Sequence, residues 1–119
     1  MTINMATFQL VLLEEAKKFL QSLPKPAYSK IIYNVDRVAR GERNSKIFKK
    51  LDNTDIWEFR TLYNGIAYRL FAFWDTETQT LVVATHGIIK KTQKTPKKEI
   101  AMAEATMKQY FELKKKYRT

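Results

Sequence analysis

Residues 56–94 read IWEFRTLYNGIAYRLFAFWDTETQTLVVATHGIIKKTQK. Asn64-Gly65 stands between two runs rich in β-branched and aromatic residues, which is the strongest short-range signal of a two-residue hairpin turn. A turn at these residues sets Tyr63 opposite Ile66 and fixes the register of every pair further out. The stretch therefore predicts an antiparallel hairpin, and we interpret the rest of the chain around it.

The two faces of this hairpin differ in chemistry. Because side chains alternate along a strand, one face is an apolar core face. It comprises Trp57, Phe59, Leu70, Ala72 and Trp74. On the other face, Arg60 lies directly opposite Arg69, and Glu58 lies opposite Phe71. Like charges placed across a strand pair are destabilising, so the two arginines indicate a site for an anion. The alternative is a surface ion-pair network with Glu58 and Asp55.

A third strand begins near Leu81 and extends the meander. An even-length, symmetric loop pairs Trp74 with Leu81 and sets His86, the only histidine of the chain, opposite Arg69. Arg60, Arg69 and His86 would then form one row across three strands. An odd-length loop or a bulge would turn His86 to the other face.

The flanking segments predict one more strand and three helices. Residues 7–12 (TFQLVL) are β-prone, and residues 13–23 have helical spacing before two prolines. An apolar stripe predicts a second helix at about 27–40, and a polar connection follows at 42–54. The last helix is expected at about 96–117, with buried positions along one side.

The predicted order is β-α-α-β-β-β-α in a single domain, residues 1–119. It indicates an α+β fold with a mainly antiparallel sheet and helices packed on one face. Thr95 is a good N-cap for the last helix, because Pro96 would occupy the first helical position. The place of the first strand in the sheet stays open.

Composition narrows the class of function. The 119 residues carry a net charge of +10, of which residues 85–119 contribute +7. Such a surface attracts nucleic acid, an acidic protein or a membrane surface, or is simply a solvated face. With no cysteine and one histidine, we expect no metal and no cofactor. No apolar run reaches ~20 residues and no signal peptide is evident, so we expect a cytoplasmic protein without a membrane partner.

The sequence lacks a Gly-rich phosphate loop, HExxH and a nucleophile elbow. The remaining polar set suits metal-independent RNA cleavage, in which the 2′-hydroxyl attacks the adjacent phosphorus. Arginines can offset the charge of the pentacoordinate intermediate, a histidine can move a proton, and a lysine can do so if cationic neighbours lower its pKa. The catalytic candidates are Arg60, Arg69, His86 and Lys91. The RNA-binding candidates are Lys90, Lys94, Lys49 and Lys50, with Glu58 in an auxiliary role. The alternative for the histidine is a structural role, and for the lysines a solvated surface.

The segments W-E-F-R, N-G-I-A-Y-R-L-F and H-G-I-I-K-K-T-Q-K-T-P-K-K-E-I resemble the RelE/ParE superfamily of bacterial toxins, in particular its HigB-like, phage-related subgroup. The resemblance implies a microbial-RNase-like fold, a cognate antitoxin as partner, and cleavage of mRNA on the translating ribosome. It also implies that Arg69 supports the transition state and that Lys90 and Lys91 contact RNA. Some relatives use a C-terminal tyrosine close behind the basic segment as a base; in this sequence Thr95-Pro96 and a long predicted helix stand there instead.

Two further functions remain open. A ParE-type toxin resembles the same fold but binds and poisons DNA gyrase without cutting RNA. A plain basic RNA-binding module is the other, although we find no recognisable set of exposed stacking aromatics. The arginines and the histidine favour an endoribonuclease, because a pure binder would not require them.

Overall fold

In the computed structural model, residues 8–78, 81–91 and 94–117 are described. They form an α+β fold, as the sequence predicts. The elements in chain order are β1 (Gln9–Leu12), α1 (Glu14–Gln21), α2 (Lys25–Ala39), β2 (Phe48–Lys50), β3 (Trp57–Tyr63), β4 (Ile66–Trp74), β5 (Leu81–Lys90) and α3 (Lys97–Lys116). Thr7, included in the predicted first strand, lies outside the described residues.

The strands form one sheet in the order β1-β5-β4-β3-β2. Strand β1 pairs in parallel with β5, which answers where the first strand joins, and the other neighbours are antiparallel. The three-residue strand β2 lies in the segment that we predicted to be only a polar connection. It escaped prediction because three residues are too few to show an alternating pattern.

The hairpin of β3 and β4 has the predicted register. Tyr63 pairs with Ile66 and Arg60 with Arg69 across the turn. Asn64 and Gly65 have φ angles of 53° and 78°, the left-handed values that a type I′ turn requires at both central positions. The prediction of a two-residue turn at Asn64-Gly65 is therefore confirmed.

The register between β4 and β5 differs from the prediction. Trp74 pairs with Val82 instead of Leu81, and a bulge then leaves Thr85 as an extra residue between the pairs Ala72–Ala84 and Phe71–His86. Each change shifts the register by one residue. Two shifts return His86 to the predicted face but move its partner two positions along β4, from Arg69 to Phe71. The prediction that His86 lies opposite Arg69 is wrong.

Helices cover both faces of the sheet, so the prediction that they all pack on one face is wrong for α3. On the first face, α1 and α2 pack against the predicted apolar set around Phe59 and Leu70. On the second face, α3 packs against a separate apolar cluster. The sheet side of that cluster includes Ile56, Phe71, Phe73 and Val83. The error arose because both strand faces are apolar at this end of the sheet, whereas we assigned the second face from its polar residues alone.

Asp75, at the end of β4, holds the C-terminal part of α3. Its fully buried carboxylate accepts hydrogen bonds of 2.6 Å from the Tyr110 hydroxyl and from Lys114 Nζ. Burial and the bond to Asp75 raise the pKa of Tyr110 to about 12, so the phenol stays protonated. In the described parts of the chain, no helix is long and apolar enough to cross a membrane.

Candidate anion-binding and catalytic site

Helix α3 leaves the turn end of the second sheet face uncovered. There Arg60 and Arg69 lie side by side on β3 and β4, as predicted. Glu58 precedes Arg60 by two residues and projects on the same face, where it is 1% exposed. Its Oε1 atom lies 3.2 Å from Arg60 Nε and 3.3 Å from Arg69 Nε. One buried carboxylate thus bridges the two arginines and offsets their repulsion.

The backbone fixes the guanidinium groups further. Arg69 Nη1 donates to the carbonyl oxygen of Tyr68 at 3.1 Å, and Arg60 Nη1 donates to that of Ser45 at 3.3 Å. The two Nε atoms are buried, and neither is aligned for a hydrogen bond to an acceptor in the described residues, although both are at ion-pair distance from Glu58. A guanidinium has five donors, so each arginine keeps further N–H groups that an anion can use.

Lys90 joins this site from the end of β5. It pairs with Ala67, which also pairs with Leu62, so these three residues form the row next to the arginines. Burial lowers the pKa of Lys90, and the nearby Arg69 and Arg60 lower it further, while Glu58 opposes the shift. Burial likewise lowers the pKa of Arg69. The local field is strongly cationic.

The other predicted lysines are placed differently from one another. Lys49 pairs with Glu58 across β2 and β3 and therefore shares the face of the arginines. Lys50 pairs with Trp57, so it projects on the opposite face, away from the site where we expected it to bind RNA. Lys91 directly follows β5 and is exposed, and Lys94 is exposed before α3. The structure thus brings Lys49 and Lys90 to the arginines and separates Lys50 from them.

His86 is buried between the sheet and the start of α3. Its Nε2 lies 3.1 Å from Glu99 Oε1, its Nδ1 lies 3.0 Å from Thr85 Oγ1, and its ring packs on Phe71 at 4.9 Å between centroids. The side chain is 9% exposed. Both ring nitrogens are engaged, and Phe71 stands between His86 and Glu58 in the same cross-strand row. The structure does not bring His86 into the arginine row.

Two residues of the site were missed by the sequence reasoning. Thr95 donates a hydrogen bond of 2.9 Å from its hydroxyl to Glu58 Oε2. We predicted that it caps α3, but Pro96 occupies the N-cap position, so that prediction is wrong. No local pattern reveals a contact across 37 residues. Leu62 is 71% exposed beside the arginines, and the hairpin register alone could have placed it there.

The site is therefore a partly accessible cationic cluster at the turn end of the second sheet face. Its charged members are Arg60, Arg69, Lys90 and Lys49, organised around the buried Glu58. Among the described residues, no group of three or more His, Cys, Asp or Glu side chains is placed to hold a metal ion. This fold and site define a small basic α+β protein equipped to bind an anion such as a phosphodiester.

Comparison with known proteins agrees with that class. The model of the family described as phage-derived protein Gp49-like matches residues 18–108. The chain belongs to this family, which is a family of RelE-like toxins in the RelE/ParE superfamily. The recognition from sequence is thereby confirmed. No curated protein matches the sequence significantly.

Solved structures support the fold. A mutant of the Escherichia coli toxin RelE in the free state has a TM-score of 0.54 and 20% identity, covering 70% of this chain and 82% of that one. The toxin–antitoxin complex RelBE2 from Mycobacterium tuberculosis has a matching chain with a TM-score of 0.51 and 18% identity, covering 73% of this chain and 95% of that one. The RelE-like fold is thus shared at low sequence identity.

Proposed function

We propose that this protein is the toxin of a type II toxin–antitoxin system and that it cleaves mRNA on the translating ribosome without a metal ion. The observation that carries the proposal is the bridged arginine pair, Arg60 and Arg69, which is partly accessible and has Lys90 beside it at the turn end of the sheet face. Two adjacent arginines in fixed orientation match a phosphodiester better than they serve stability. Membership in a family of RelE-like toxins supports the same conclusion.

The reaction requires charge stabilisation and two proton transfers. The 2′-hydroxyl attacks phosphorus and forms a pentacoordinate dianion, which the N–H groups of Arg60 and Arg69 stabilise. The 5′-oxygen then leaves and needs a proton. Lys90 is the proton donor in our proposal, because burial and cationic neighbours move its pKa down from the ordinary lysine value. Lys91, Lys94 and Lys49 are exposed cations, suited to holding the flanking phosphates.

The role of Lys90 has a measurable pH signature. A general acid must be protonated, so the cleavage rate falls as pH rises through its pKa. Because the pKa of Lys90 is lowered, we expect this fall at a lower pH than an ordinary lysine would give. Lys90→Arg keeps the charge but cannot release the proton in this range. We expect the variant to cleave more slowly and to lose the alkaline fall in single-turnover rates. An unchanged profile would remove Lys90 from proton transfer.

The buried placement of His86 argues against the proton-transfer role considered from the sequence. We propose instead that His86 stabilises the packing of α3 on the sheet through its contact with Glu99. The attacking 2′-hydroxyl then gives its proton to a group other than His86, and Lys91 stays a candidate as the exposed lysine next to Lys90.

The partners follow from the same proposal. The RelBE2 structure contains a toxin with its antitoxin, and we propose that this chain likewise has a cognate antitoxin. Its substrate would be mRNA bound to the translating ribosome, so we propose that it acts in the cytoplasm. The alternative is a ParE-type toxin that binds DNA gyrase, for which the exposed Leu62 beside the arginines would serve as a protein contact.

A cleavage assay separates these functions. Purified protein is incubated with mRNA alone, with mRNA on translating ribosomes, and with DNA gyrase, and the ends of any mRNA fragments are determined. We expect cuts only on translating ribosomes, and fragments that end in a 2′,3′-cyclic phosphate or a 3′-phosphate, which are the products of attack by the 2′-hydroxyl. Intact mRNA together with inhibited gyrase would replace the proposal with the binding toxin. Fragments that end in a 3′-hydroxyl would contradict the proposed attack by the 2′-hydroxyl.

A further inference from the structure

Thr95 has an unexpected contact at the start of α3. Although its sequence context is that of a helix cap, its hydroxyl donates to Glu58 Oε2 at 2.9 Å, and Pro96 takes the cap position. Thr95 is partly buried there. Thr95 therefore bonds to the Glu58 carboxylate on the sheet instead of capping its own helix. Helix formation does not explain this contact.

Glu58 divides its two oxygens between α3 and the arginines. Oε2 accepts the Thr95 hydroxyl, while Oε1 faces the Nε atoms of Arg60 and Arg69. A buried carboxylate has few accessible orientations when both oxygens are engaged. The bond from Thr95 thus selects the rotation of the carboxylate, and that rotation sets where Oε1 meets the two arginines.

A second attachment fixes Thr95 itself. Glu99, four residues further on and in the first turn of α3, lies 3.1 Å from His86 on β5. Glu58 and His86 belong to one cross-strand row, separated by Phe71. The start of α3 is consequently held on the sheet at both ends of this row, which prevents Thr95 from moving independently of the arginine site.

We propose that Thr95 is a positioning residue, which sets the geometry of the arginine pair through Glu58 and couples the seating of α3 to RNA cleavage. This inference rests on the proposed function. It predicts that loss of the Thr95 hydroxyl slows the chemical step while RNA binding persists, because both arginines keep their charge but lose their alignment.

Matched threonine variants test the inference. Thr95→Val removes the hydroxyl and keeps the shape of the side chain, whereas Thr95→Ser keeps the hydroxyl and removes the methyl group. Thr106→Val is the control on the same helix, since the Thr106 hydroxyl bonds only within α3, to the carbonyl oxygen of Met102 among the contacts described. We expect kcat on ribosome-bound mRNA to fall about 10- to 100-fold in Thr95→Val, because a misplacement of ~1 Å can cost 10²-fold. KM should change less than about twofold, Thr95→Ser should retain the wild-type rate, and Thr106→Val should be unaffected.

Two kinetic outcomes would overturn the inference. One is a Thr95→Val variant with wild-type kcat. The other is a raised KM with unchanged kcat, which would make Thr95 an RNA contact. Thermal unfolding of all three variants shows whether each is fully folded at the assay temperature. A partly unfolded variant contains less active protein, which lowers its apparent kcat, so rates are compared only between fully folded variants.

Arginine side-chain NMR tests the coupling without RNA. The Nε–H signals of Arg60 and Arg69, assigned through single arginine variants, report directly on their contact with Glu58. We expect Thr95→Val to shift both signals, and Thr95→Ser and Thr106→Val to leave them in place. Unshifted signals would refute the coupling. This readout also separates the two proposals, because it holds if the protein proves not to cleave mRNA.

Discussion

The second face of the sheet has two ends, which share strands but differ in the type of their side chains and in how deeply α3 buries them. At one end, Phe71, Phe73 and Val83 are completely buried under α3. At the other, Arg60 and Arg69 are partly buried, with 26% and 12% of their side chains accessible, and lie beside Lys90 and the exposed Leu62. The end under α3 provides stability by apolar burial, whereas the end towards the turn keeps like charges together that need Glu58 between them. Adjacent segments of one strand can therefore be assigned opposite roles.

Truncation of an apolar residue at each end should give the largest contrast in stability. Phe73→Ala removes a fully buried ring that contacts Tyr110 and Phe111, so we expect the free energy of unfolding to fall by about 3–5 kcal/mol. Leu62→Ala, at a residue that is 71% exposed, should change it by less than about 0.5 kcal/mol. Urea denaturation measures both. Comparable losses would show that the end towards the turn is also part of the core.

His86 lies between the two ends, and its substitution tests whether it contributes to stability or to cleavage. His86→Ala removes the contact of Glu99 with the ring and leaves the Thr85 hydroxyl only its 3.5 Å bond to the carbonyl oxygen of Phe71, so we expect a loss of about 1–3 kcal/mol in unfolding free energy. The single-turnover rate of the protein that remains folded should fall by at most about 10-fold, because only one of the two contacts that hold the start of α3 is lost. A fully folded variant that cleaves ~10²-fold more slowly and with an altered pH profile would return proton transfer to His86.

The smallest effect should separate Lys49 from Lys50. The two substitutions to alanine remove the same charge from neighbouring positions, but Lys49 shares the arginine face and Lys50 does not. We expect Lys49→Ala to reduce the dependence of RNA affinity on salt by about 0.7 in log–log slope, and Lys50→Ala to change it less. Filter binding at several salt concentrations gives the slopes. Equal reductions would mean that RNA also passes over the opposite face.

The hairpin was predictable because its signals are local. Asn64-Gly65 fixes the turn, and the alternation of Phe59 with Arg60 fixes the faces, so the arginine pair follows from residues adjacent in sequence. The position of His86 was not predictable, because it depends on a loop closure and a bulge at Thr85 that each shift the register by one residue. Predicting either requires the packing around it.

Contacts between distant segments were also beyond the sequence. The bond of Thr95 to Glu58 and the bonds of Tyr110 and Lys114 to Asp75 join residues more than 30 positions apart. Each one depends on where α3 lies, and we expected α3 on the other face. An apolar stripe predicts that a helix is buried but does not say against which surface. The positions of Arg60 and Arg69 were therefore predictable from the sequence, whereas the contacts that hold them were not.

The most direct test of the central claim is primer extension on a reporter mRNA after brief induction of the protein. Wild type is compared with Arg69→Ala, and with Arg40→Ala as the control, because Arg40 is an exposed arginine at the C-cap of α2 that pairs with Asp36. Our account predicts discrete cuts within the translated region for wild type and Arg40→Ala. It predicts none for Arg69→Ala, which should remain folded, since removal of one preorganised donor costs ~10²–10³ in rate. Growth arrest with intact message, or undiminished cutting by a folded Arg69→Ala protein, would contradict the account.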